Sequence, residues 1–248
     1  VLGSRGLGDV YKRQRRGSLV MDFSNTDVWG FEHAIRGMRN PLESHVKSDS
    51  WLDTDGKVVI GDNDLDLMKR LIRGGSEHRK FMRQIMVSVD ISAALYYWKE
   101  FDTYKIGTTA NSTSTMHRIM SRPITLSCFE FDDYNNYLEL STTNITHGGE
   151  SSFTINDAWT DILSVCNMLR DKYLVTKDKR YWKELIRILP ESWIQRRTVT
   201  MNYENLYSIV RQRKGHKLVE WERFINWVKT LPYADDLVFL DCTKENET

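Results

Sequence analysis

The chain has 248 residues, of which 40% are hydrophobic and 28% are charged, and its formal net charge at pH 7 is +1. That length and apolar fraction suit one globular domain with a sizeable core, and the near-balanced charge argues against a protein that wraps nucleic acid. Since no run of about 18 apolar residues occurs, we expect neither nucleic acid nor a membrane as a partner.

Residues 1–20 do not resemble the rest of the chain. Val1–Gln14 lacks the apolar core of a secretion signal and shows neither helical nor strand periodicity, whereas ordinary patterning begins at Met21. The glycine-rich stretch Gly3–Gly8 falls inside this segment and is not counted as a dinucleotide loop. We expect residues 1–20 to be a non-native or disordered tail and residues 21–240 to form one domain.

The first clear helix signal begins after residue 62. Asn63 or Asp64 can cap a helix whose apolar residues recur at helical spacing, and the pair Gly74-Gly75 would end it. Those apolar residues are Leu65, Met68, Leu71 and Ile72.

Two strand candidates come next. Apolar and polar residues alternate between Ile85 and Ile91, which is typical of a half-buried strand. Ile124–Phe129 is a second, shorter candidate. The segment after it, Asp132–Ser152, is rich in turn-forming residues and is predicted to be a surface excursion.

The C-terminal half carries mostly helical patterns. Thr154-Ile155-Asn156-Asp157 resembles a capping box and precedes a long helix. Further helices are predicted over Tyr181–Ile188, Asn202–Arg213 and Leu218–Leu231, with a break near Gly215. Helices combined with few strands predict an α+β fold, in which a small mixed or antiparallel sheet packs with several helices and the C-terminal half is helical.

A hydroxyl-rich segment, Thr108–Thr115, lies between the two strand candidates. Its serine and threonine hydroxyls, together with the loop amides, are suited to holding a phosphate. A polar surface turn would have the same composition, so both interpretations stay open.

Two arginines and an asparagine are spaced along Leu189–Trp221. Arg196, Asn202 and Arg213 are followed there by His216 and Glu220. A guanidinium group offers a planar fork of donors that matches phosphate or an ionised carbonyl, so the spacing suggests an anion site. The alternative is that these arginines are solvated or paired with nearby carboxylates, as surface arginines usually are.

Metal chemistry has no support in the sequence. The six histidines show no zinc-type spacing, so no metal is predicted. Cys128, Cys166 and Cys242 also lack metal-type spacing and cannot all pair with one another, which predicts reduced thiols in an intracellular protein.

The order of landmarks after Leu189-Pro190 resembles the C-terminal half of the flavin-dependent thymidylate synthases. In that family a Leu-Pro pair precedes a nucleotide-binding arginine, an asparagine opens the next helix, and a second arginine precedes a histidine and a glutamate. Arg196, Asn202 and Arg213 match this order without a gap, and His216 follows with one residue fewer.

A second block, Gly75–His117, resembles motifs from the first half of the same family. Gly75-Ser76-Glu77-His78 stands where the family has Gly-His-Glu-Ser/Thr, and Trp98-Lys99-Glu100 stands where it has a Gln-Trp pair. Asn111–His117 lies opposite Asn-Glu-x-Ser-x-Arg-Tyr, of which the asparagine and one serine, Ser114, are retained. In all, the resemblance covers roughly residues 60 to 235.

The resemblance implies a cytoplasmic enzyme, from a bacterium or a phage-infected host cell, that methylates deoxyuridine monophosphate (dUMP) to thymidylate. Such enzymes use reduced FAD as hydride donor, methylenetetrahydrofolate as carbon source and NADPH to reload the flavin. They build their sites between the subunits of a homotetramer, so a homotetramer is implied here too.

The resemblance also assigns residues by position. Arg213 would be catalytic and would polarise the uracil. The residues that it places on the substrate are Trp98, Asn111, Ser112, Thr113, Ser114, Arg196 and Arg213. The residues that it places on the flavin are His78, Asn202 and Ser208.

The chain departs from the family at charged positions. Phe101-Asp102-Thr103 stands opposite an Arg-His-Arg motif that supplies cationic contacts to phosphates, and Glu204 stands where the family has an arginine. Lys105, Arg118 and Arg122 are nearby candidates to replace the missing charges. The alternative to an active synthase is therefore a non-catalytic or altered-specificity relative that binds a pyrimidine nucleotide or a partner protein.

Overall fold

The computed structural model describes residues 21–131, 134, 135, 137–141 and 153–242. The expected tail, residues 1–20, and most of the expected surface excursion, Asp132–Ser152, lie outside the described residues. The strands are β1 (Asp22–Trp29), β2 (Trp51–Leu52), β3 (Val58–Val59), β4 (Met86–Ala94), β5 (Thr109–Ser112), β6 (Glu139–Ser141), β7 (Phe153–Thr154) and β8 (Ile194–Asn202).

The α-helices are α1 (Phe31–Arg39), α2 (Asp62–Arg73), α3 (Leu95–Phe101), α4 (Thr115–Arg118), α5 (Ile155–Thr176), α6 (Lys179–Ile188), α7 (Tyr203–Arg213), α8 (Val219–Lys229) and α9 (Ala234–Leu237). Short 3-10 helices cover Asn40–Leu42, His45–Lys47, Arg79–Gln84 and Leu126–Cys128. The expected α+β fold, with a small sheet and a mostly helical C-terminal half, is confirmed. Among the described residues, no helix combines the length and the apolar character needed to cross a membrane.

The main sheet has the strand order β1–β4–β8–β5, and the pairs β2–β3 and β6–β7 are separate antiparallel ribbons. Strand β4 confirms the predicted alternation, because Val87, Val89 and Ile91 are fully buried while Ser88 and Asp90 keep some exposure. Successive side chains of a strand point to opposite faces, so one face of β4 supplies core residues. The strand continues three residues beyond its predicted end.

Strand β8 is not predicted from the sequence, although it lies beside β4 in the sheet. Its buried apolar residues, Val199 and Met201, come only near its end. The first half contains Gln195, Arg196 and Arg197, so the alternation that marks a strand is confined to a few residues.

The prediction of a strand over Ile124–Phe129 is wrong. The chain forms a 3-10 turn at Leu126–Cys128, and Phe129 makes only an isolated antiparallel bridge to Trp193. Asn167 explains the difference, since its Oδ1 accepts from the Ile124 N–H at 2.9 Å and its Nδ2 donates to the Ile124 carbonyl at 2.8 Å. A side chain thus takes both backbone groups that a strand neighbour would need.

The predicted helix cap at Asn63 or Asp64 is also wrong, although the helix itself is confirmed and ends before Gly74 as expected. Helix α2 begins at Asp62, and its first amides are capped by a residue that lies far from the helix in the sequence. The Asp49 carboxylate accepts from the Asn63 N–H at 2.9 Å and from the Asp64 N–H at 3.1 Å. An acceptor that precedes the helix by more than ten residues leaves no local capping pattern.

The helices predicted in the C-terminal half are confirmed. Thr154 and Asp157 form the expected capping box at the start of α5. Asn202 and Asn205 form a second one at the start of α7. The break before α8 contains Gly215, whose φ of +70° is in the left-handed region that glycine adopts readily.

The described residues divide into two compact units, and the first comprises residues 21, 22 and 92–99 and those described between 112 and 196. Its core is centred on Phe129, whose ring centroid lies 5.0 Å from that of Trp159 and 5.5 Å from that of Trp193. Cys166 of α5 and Leu185 of α6 are fully buried in the same cluster.

The second unit comprises residues 23–91, 100–111 and 197–242. Its helix α8 buries Trp221 and Phe224, which pack edge to face with centroids 5.7 Å apart. A buried ion pair also lies in this unit, where Arg39 Nε donates to Asp64 Oδ1 at 2.6 Å. Burial alone would raise the pKa of Asp64, but hydrogen bonds from Ser50, Ser48 and Arg39 outweigh it and hold that pKa below its usual range.

Candidate functional site

Arg213 is the last residue of α7, and its guanidinium is held from two sides within the second unit. Nε donates to Tyr104 Oη at 2.7 Å, and Nη1 donates to Glu100 Oε2 at 2.8 Å. The guanidinium carbon lies 4.5 Å from the centroid of the Trp221 ring, which is a cation–π distance. No described residue accepts a hydrogen bond from Nη2, so that edge has two N–H groups available to a ligand.

Glu100 is the acceptor that organises this group. Its Oε2 also accepts from Trp221 Nε1 at 2.9 Å, and His216 Nε2 lies 3.4 Å away. Because His216 Nδ1 accepts from the Leu218 N–H at 3.2 Å, a neutral ring carries its proton on Nε2, facing Glu100. The carboxylate therefore balances the charge of Arg213 and fixes its orientation. The members of this group, named the Arg213 cluster below, are Glu100, Tyr104, Arg213, His216 and Trp221.

Two of the residues that the sequence places on a flavin, His78 and Ser208, are brought onto neighbouring segments of the second unit. His78 is exposed and precedes Arg79, whose Nε lies 3.4 Å from Glu204 Oε1. Arg83 also pairs with Glu204. Ser208 follows Glu204 by four residues on α7 and so lies on the same helix face. The position where the family has an arginine is thus a carboxylate held by two arginines.

The third such residue, Asn202, caps α7. Its Oδ1 accepts from the Asn205 N–H at 3.0 Å, and Asn205 Oδ1 accepts from the Asn202 N–H at 3.1 Å. Asn205 Nδ2 donates to the Ile106 carbonyl at 2.8 Å. The next residue, Gly107, lies against the side chains of Asn202 and Asn205 and has a φ of +74°. The side-chain oxygen of Asn202 is therefore committed to the helix start.

The predicted nucleotide loop in the first unit is anchored on β8. The Thr113 N–H donates to the Arg196 carbonyl at 2.8 Å, and Gln195 Nε2 donates to the Thr113 carbonyl at 3.0 Å. Ser114 caps the short helix α4, and its Oγ lies 2.7 Å from His117 Nδ1. The two hydrogen bonds of the Thr113 backbone therefore fix the loop beside Arg196 on β8.

The remaining predicted substrate residues have different settings. Asn111 belongs to the second unit and Ser112 to the first, and both are exposed on β5. Trp98 is only 1% exposed, and its indole N–H donates to the carbonyls of Ala93 and Gln195 at 3.1 and 3.0 Å. In this chain Trp98 therefore holds β8 in place beneath the loop.

A cavity of about 180 Å³ opens beside the loop, entirely within the first unit. Its wall combines Thr113 and Thr115 with apolar core residues, and Arg118 and Arg122 also line it. A larger cavity of about 310 Å³ lies in the second unit, with Arg36 in its lining, and none of the predicted site residues contributes to it.

The sequence missed the partners that fix Arg213. Glu100 and Arg213 are 113 residues apart, and their ion pair leaves no local pattern. The one signal in the sequence was that Glu100 follows Trp98 and Lys99 in the segment opposite the family's Gln-Trp pair.

Neither a metal nor a thiol nucleophile is indicated by the side chains. Within the part of the chain that the structure describes, no group of three or more His, Cys, Asp and Glu residues is arranged to hold a metal ion. Cys128, Cys166 and Cys242 are buried and unpaired. Burial raises the pKa of the Cys166 thiol, which disfavours the nucleophilic thiolate.

Solved structures with a similar fold include two kinds of protein. A structure of thymidylate synthase X (ThyX) from Helicobacter pylori with FAD and dUMP has a TM-score of 0.61 and 16% identity, and the match covers 91% of this chain and 100% of that one. A second ThyX structure from the same organism, also complexed with FAD and dUMP, has a TM-score of 0.57 and 18% identity, covering 87% and 96% of the two chains.

The other kind is the UMP/dUMP methylase PolB from Streptomyces cacaoi. Its structure with bound 5-Br dUMP has a TM-score of 0.53 and 12% identity, covering 90% of this chain and 95% of that one. Neither a protein-family model nor a curated protein matches the sequence. At such low identity the likenesses establish the fold.

Proposed function

We propose that this chain is a thymidylate synthase-like methyltransferase that converts dUMP to thymidylate, with methylenetetrahydrofolate as carbon donor, FAD as hydride carrier and NADPH as reductant. The observation that carries the proposal is the Arg213 cluster, in a chain whose fold is similar to that of ThyX and PolB. The proposal includes a homotetramer in the cytoplasm of a bacterium or a phage-infected cell.

The geometry of Arg213 suits the polarisation of a uracil carbonyl. Glu100 and Tyr104 fix the plane of the guanidinium, and Trp221 packs against it, so little reorganisation is needed when a ligand arrives. A carbonyl oxygen placed at the Nη2 edge would accept hydrogen bonds from its N–H groups as negative charge develops on the oxygen. Donors that are oriented beforehand stabilise such a charge far better than mobile ones do.

The anchored loop is suited to holding the phosphate of a nucleotide. Ser112, Thr113 and Ser114 present hydroxyls, and Arg196 starts from the strand to which the loop is bonded. A phosphomonoester accepts several hydrogen bonds at once, so hydroxyls and a guanidinium fork match its chemistry. The loop would therefore orient the nucleotide.

The side chains around Glu204 fit a flavin pyrophosphate. Arg79 and Arg83 both pair with Glu204, which places two guanidinium groups beside His78 and Ser208. When bound, FAD would supply the hydride that reduces the transferred carbon to a methyl group. His78, Arg79 and Ser208 are the residues that would hold it, while Asn202 would keep the start of α7 in place.

The second candidate function is nucleotide binding with altered specificity or without turnover. It is favoured by Phe101-Asp102-Thr103, which provides no cation where the family has three basic residues, and by Glu204. PolB is a UMP/dUMP methylase, so a change of pyrimidine nucleotide on this fold is chemically reasonable.

An absorbance experiment separates these candidates. The purified chain would be mixed with FAD, freed of unbound flavin by gel filtration, and measured before and after addition of dUMP or UMP. Retained flavin with a spectrum shifted by dUMP supports the synthase and justifies an assay for methylated product. A colourless protein that still binds a pyrimidine nucleotide supports the second candidate, and a chain that retains neither ligand contradicts both.

A further inference from the structure

The cavity beside the anchored loop contains cationic groups that the proposed function has not used. Arg118 is the last residue of α4 and Arg122 follows it by four, and both side chains are exposed and line the cavity. Neither guanidinium has an ion pair or a side-chain hydrogen bond with any described residue. Among the described residues no carboxylate lines the cavity, so none of them neutralises the two positive charges there.

The wall is also rigid on its inner side. Both backbone groups of Thr113 are bonded to β8, through the Arg196 carbonyl and the Gln195 amide. Trp182 Nε1 donates to the Met116 carbonyl at 3.3 Å, which ties α4 to helix α6. Two arginines therefore extend from a fixed support around a space of about 180 Å³.

We propose that Arg118 and Arg122 bind the 5′-phosphate of the nucleotide in this cavity. This inference rests on the proposed function for the identity of the ligand, and it names the residues that take over phosphate binding in a chain without the Arg-His-Arg motif. A phosphomonoester dianion matches two guanidinium forks in charge and in geometry. Its size also fits a small cavity better than a pyrophosphate or a polyanion would.

The test compares a ligand that has the phosphate with one that lacks it. Affinities for dUMP, deoxyuridine and inorganic phosphate would be measured by titration calorimetry for the wild type, Arg118→Gln, Arg122→Gln and the double variant. Each single substitution should weaken dUMP binding about tenfold and the double one about a hundredfold, as expected for charge-assisted hydrogen bonds. Binding of deoxyuridine should not change.

Arg36→Gln is the matched control, because Arg36 is also an exposed arginine that lines a cavity, but in the second unit. It should leave the affinity for dUMP unchanged. The melting temperatures of the two arginine variants give an independent readout, and they should not change, because both side chains are exposed. Loss of binding without loss of stability separates a ligand role from a structural one.

The outcomes distinguish this inference from the proposed function. Unchanged dUMP affinity in the double variant would overturn the phosphate assignment and leave the proposed function standing. A wild type that binds inorganic phosphate through these arginines but ignores dUMP would retain the anion site and overturn the proposed function. A wild type that binds neither ligand would overturn both.

Discussion

Glu100 Oε2 and Arg213 Nη1 lie 2.8 Å apart, and the same carboxylate oxygen accepts from the Trp221 indole. The two charged side chains are 34% and 17% exposed, so the pair is only partly solvated. A carboxylate that holds an arginine in one orientation also weakens its pull on other anions. The pair thus favours a neutral, polarisable carbonyl over a strongly charged ligand at Arg213.

Arg213→Ala should lower the turnover number for dUMP methylation about 100-fold to 1,000-fold, which is the usual effect of removing one oriented donor. The fold should persist, because the residue is partly exposed and ends its helix. Single-turnover formation of thymidylate, with the melting temperature measured alongside, would check both points. Arg70→Ala, which removes an exposed arginine paired with Asp66, should change neither. Wild-type turnover in Arg213→Ala would refute the catalytic assignment.

Glu100→Gln extends the same prediction. The amide oxygen can still accept from Arg213 and Trp221, so the loss of turnover should be about tenfold or less. A loss as large as that of Arg213→Ala would mean that the carboxylate charge itself takes part in the reaction.

Ser114→Ala and Asn111→Ala should weaken the binding of dUMP about threefold to tenfold each and leave flavin binding unchanged, since a neutral hydrogen bond typically contributes about 1 kcal/mol. Equilibrium titrations with each ligand would measure this. Thr176→Ala removes an exposed hydroxyl that donates to the Lys172 carbonyl and accepts from the Asp178 N–H, and it should affect neither ligand. Equal losses for dUMP and FAD would instead indicate that the loop is purely structural.

Asp64→Asn should lower the free energy of unfolding by about 3 to 5 kcal/mol, because it leaves the buried Arg39 charge without its partner. Urea unfolding at neutral pH would measure the difference. Asp66→Asn breaks an exposed pair with Arg70 and should change the same quantity by less than about 0.5 kcal/mol. Equal effects of the two substitutions would contradict a structural role for the buried pair.

The Asp64 carboxylate also makes the free energy of unfolding depend on pH, in a direction that follows from its lowered pKa. The pKa of Asp64 is lower in the folded chain than its ordinary value of 3.8. Its stabilisation is therefore complete above about pH 4 and is lost as the pH falls through the folded-state pKa. The difference in unfolding free energy between wild type and Asp64→Asn should be constant near neutrality and shrink in acid. A difference that grows as the pH falls would contradict the sign.

Gly107→Ala should destabilise the chain by about 2 to 3 kcal/mol, since it adds a strained positive φ to a clash with Asn205 and Asn202. Gly56→Ala is the control, because its φ is also positive, at +76°, but no atom lies within 4 Å of the added methyl group. It should lose only about 1 kcal/mol. Similar losses in the two variants would show that the contact with the capping box contributes nothing.

Local patterns predicted the helices well because their signals lie within a few residues. The capping boxes at Thr154 and Asn202 each span four residues and mark the starts of α5 and α7 correctly. The same reasoning failed at Asn63 and Asp64, because the acceptor there is Asp49, a residue from outside the helix. A short stretch of sequence reveals the capping residues that lie inside it. It does not reveal an acceptor that folding brings from a distant part of the chain.

The candidate site follows the same division. Arg213 stands out because its spacing from Arg196 and Asn202 resembles a family pattern. Its partner Glu100 does not, because only folding brings that carboxylate to it. Strand β8 was not predicted for a related reason, since Arg196 and Arg197 occupy positions where a strand in the middle of a sheet usually carries apolar residues.

Gly107 lies in the loop that joins α3 to β5, close to the segment where the chain departs most from the family motif. The Ile106 carbonyl, just before Gly107, accepts a hydrogen bond from Asn205. Gly107 itself lies against the capping box of α7, at the opposite end of that helix from Arg213. A lineage that lengthened or shortened this loop would have to change the residues at 202 and 205 as well. In any set of relatives, the two segments should therefore be inherited as a matched pair, with glycine at 107 lost only where the two asparagines are lost too.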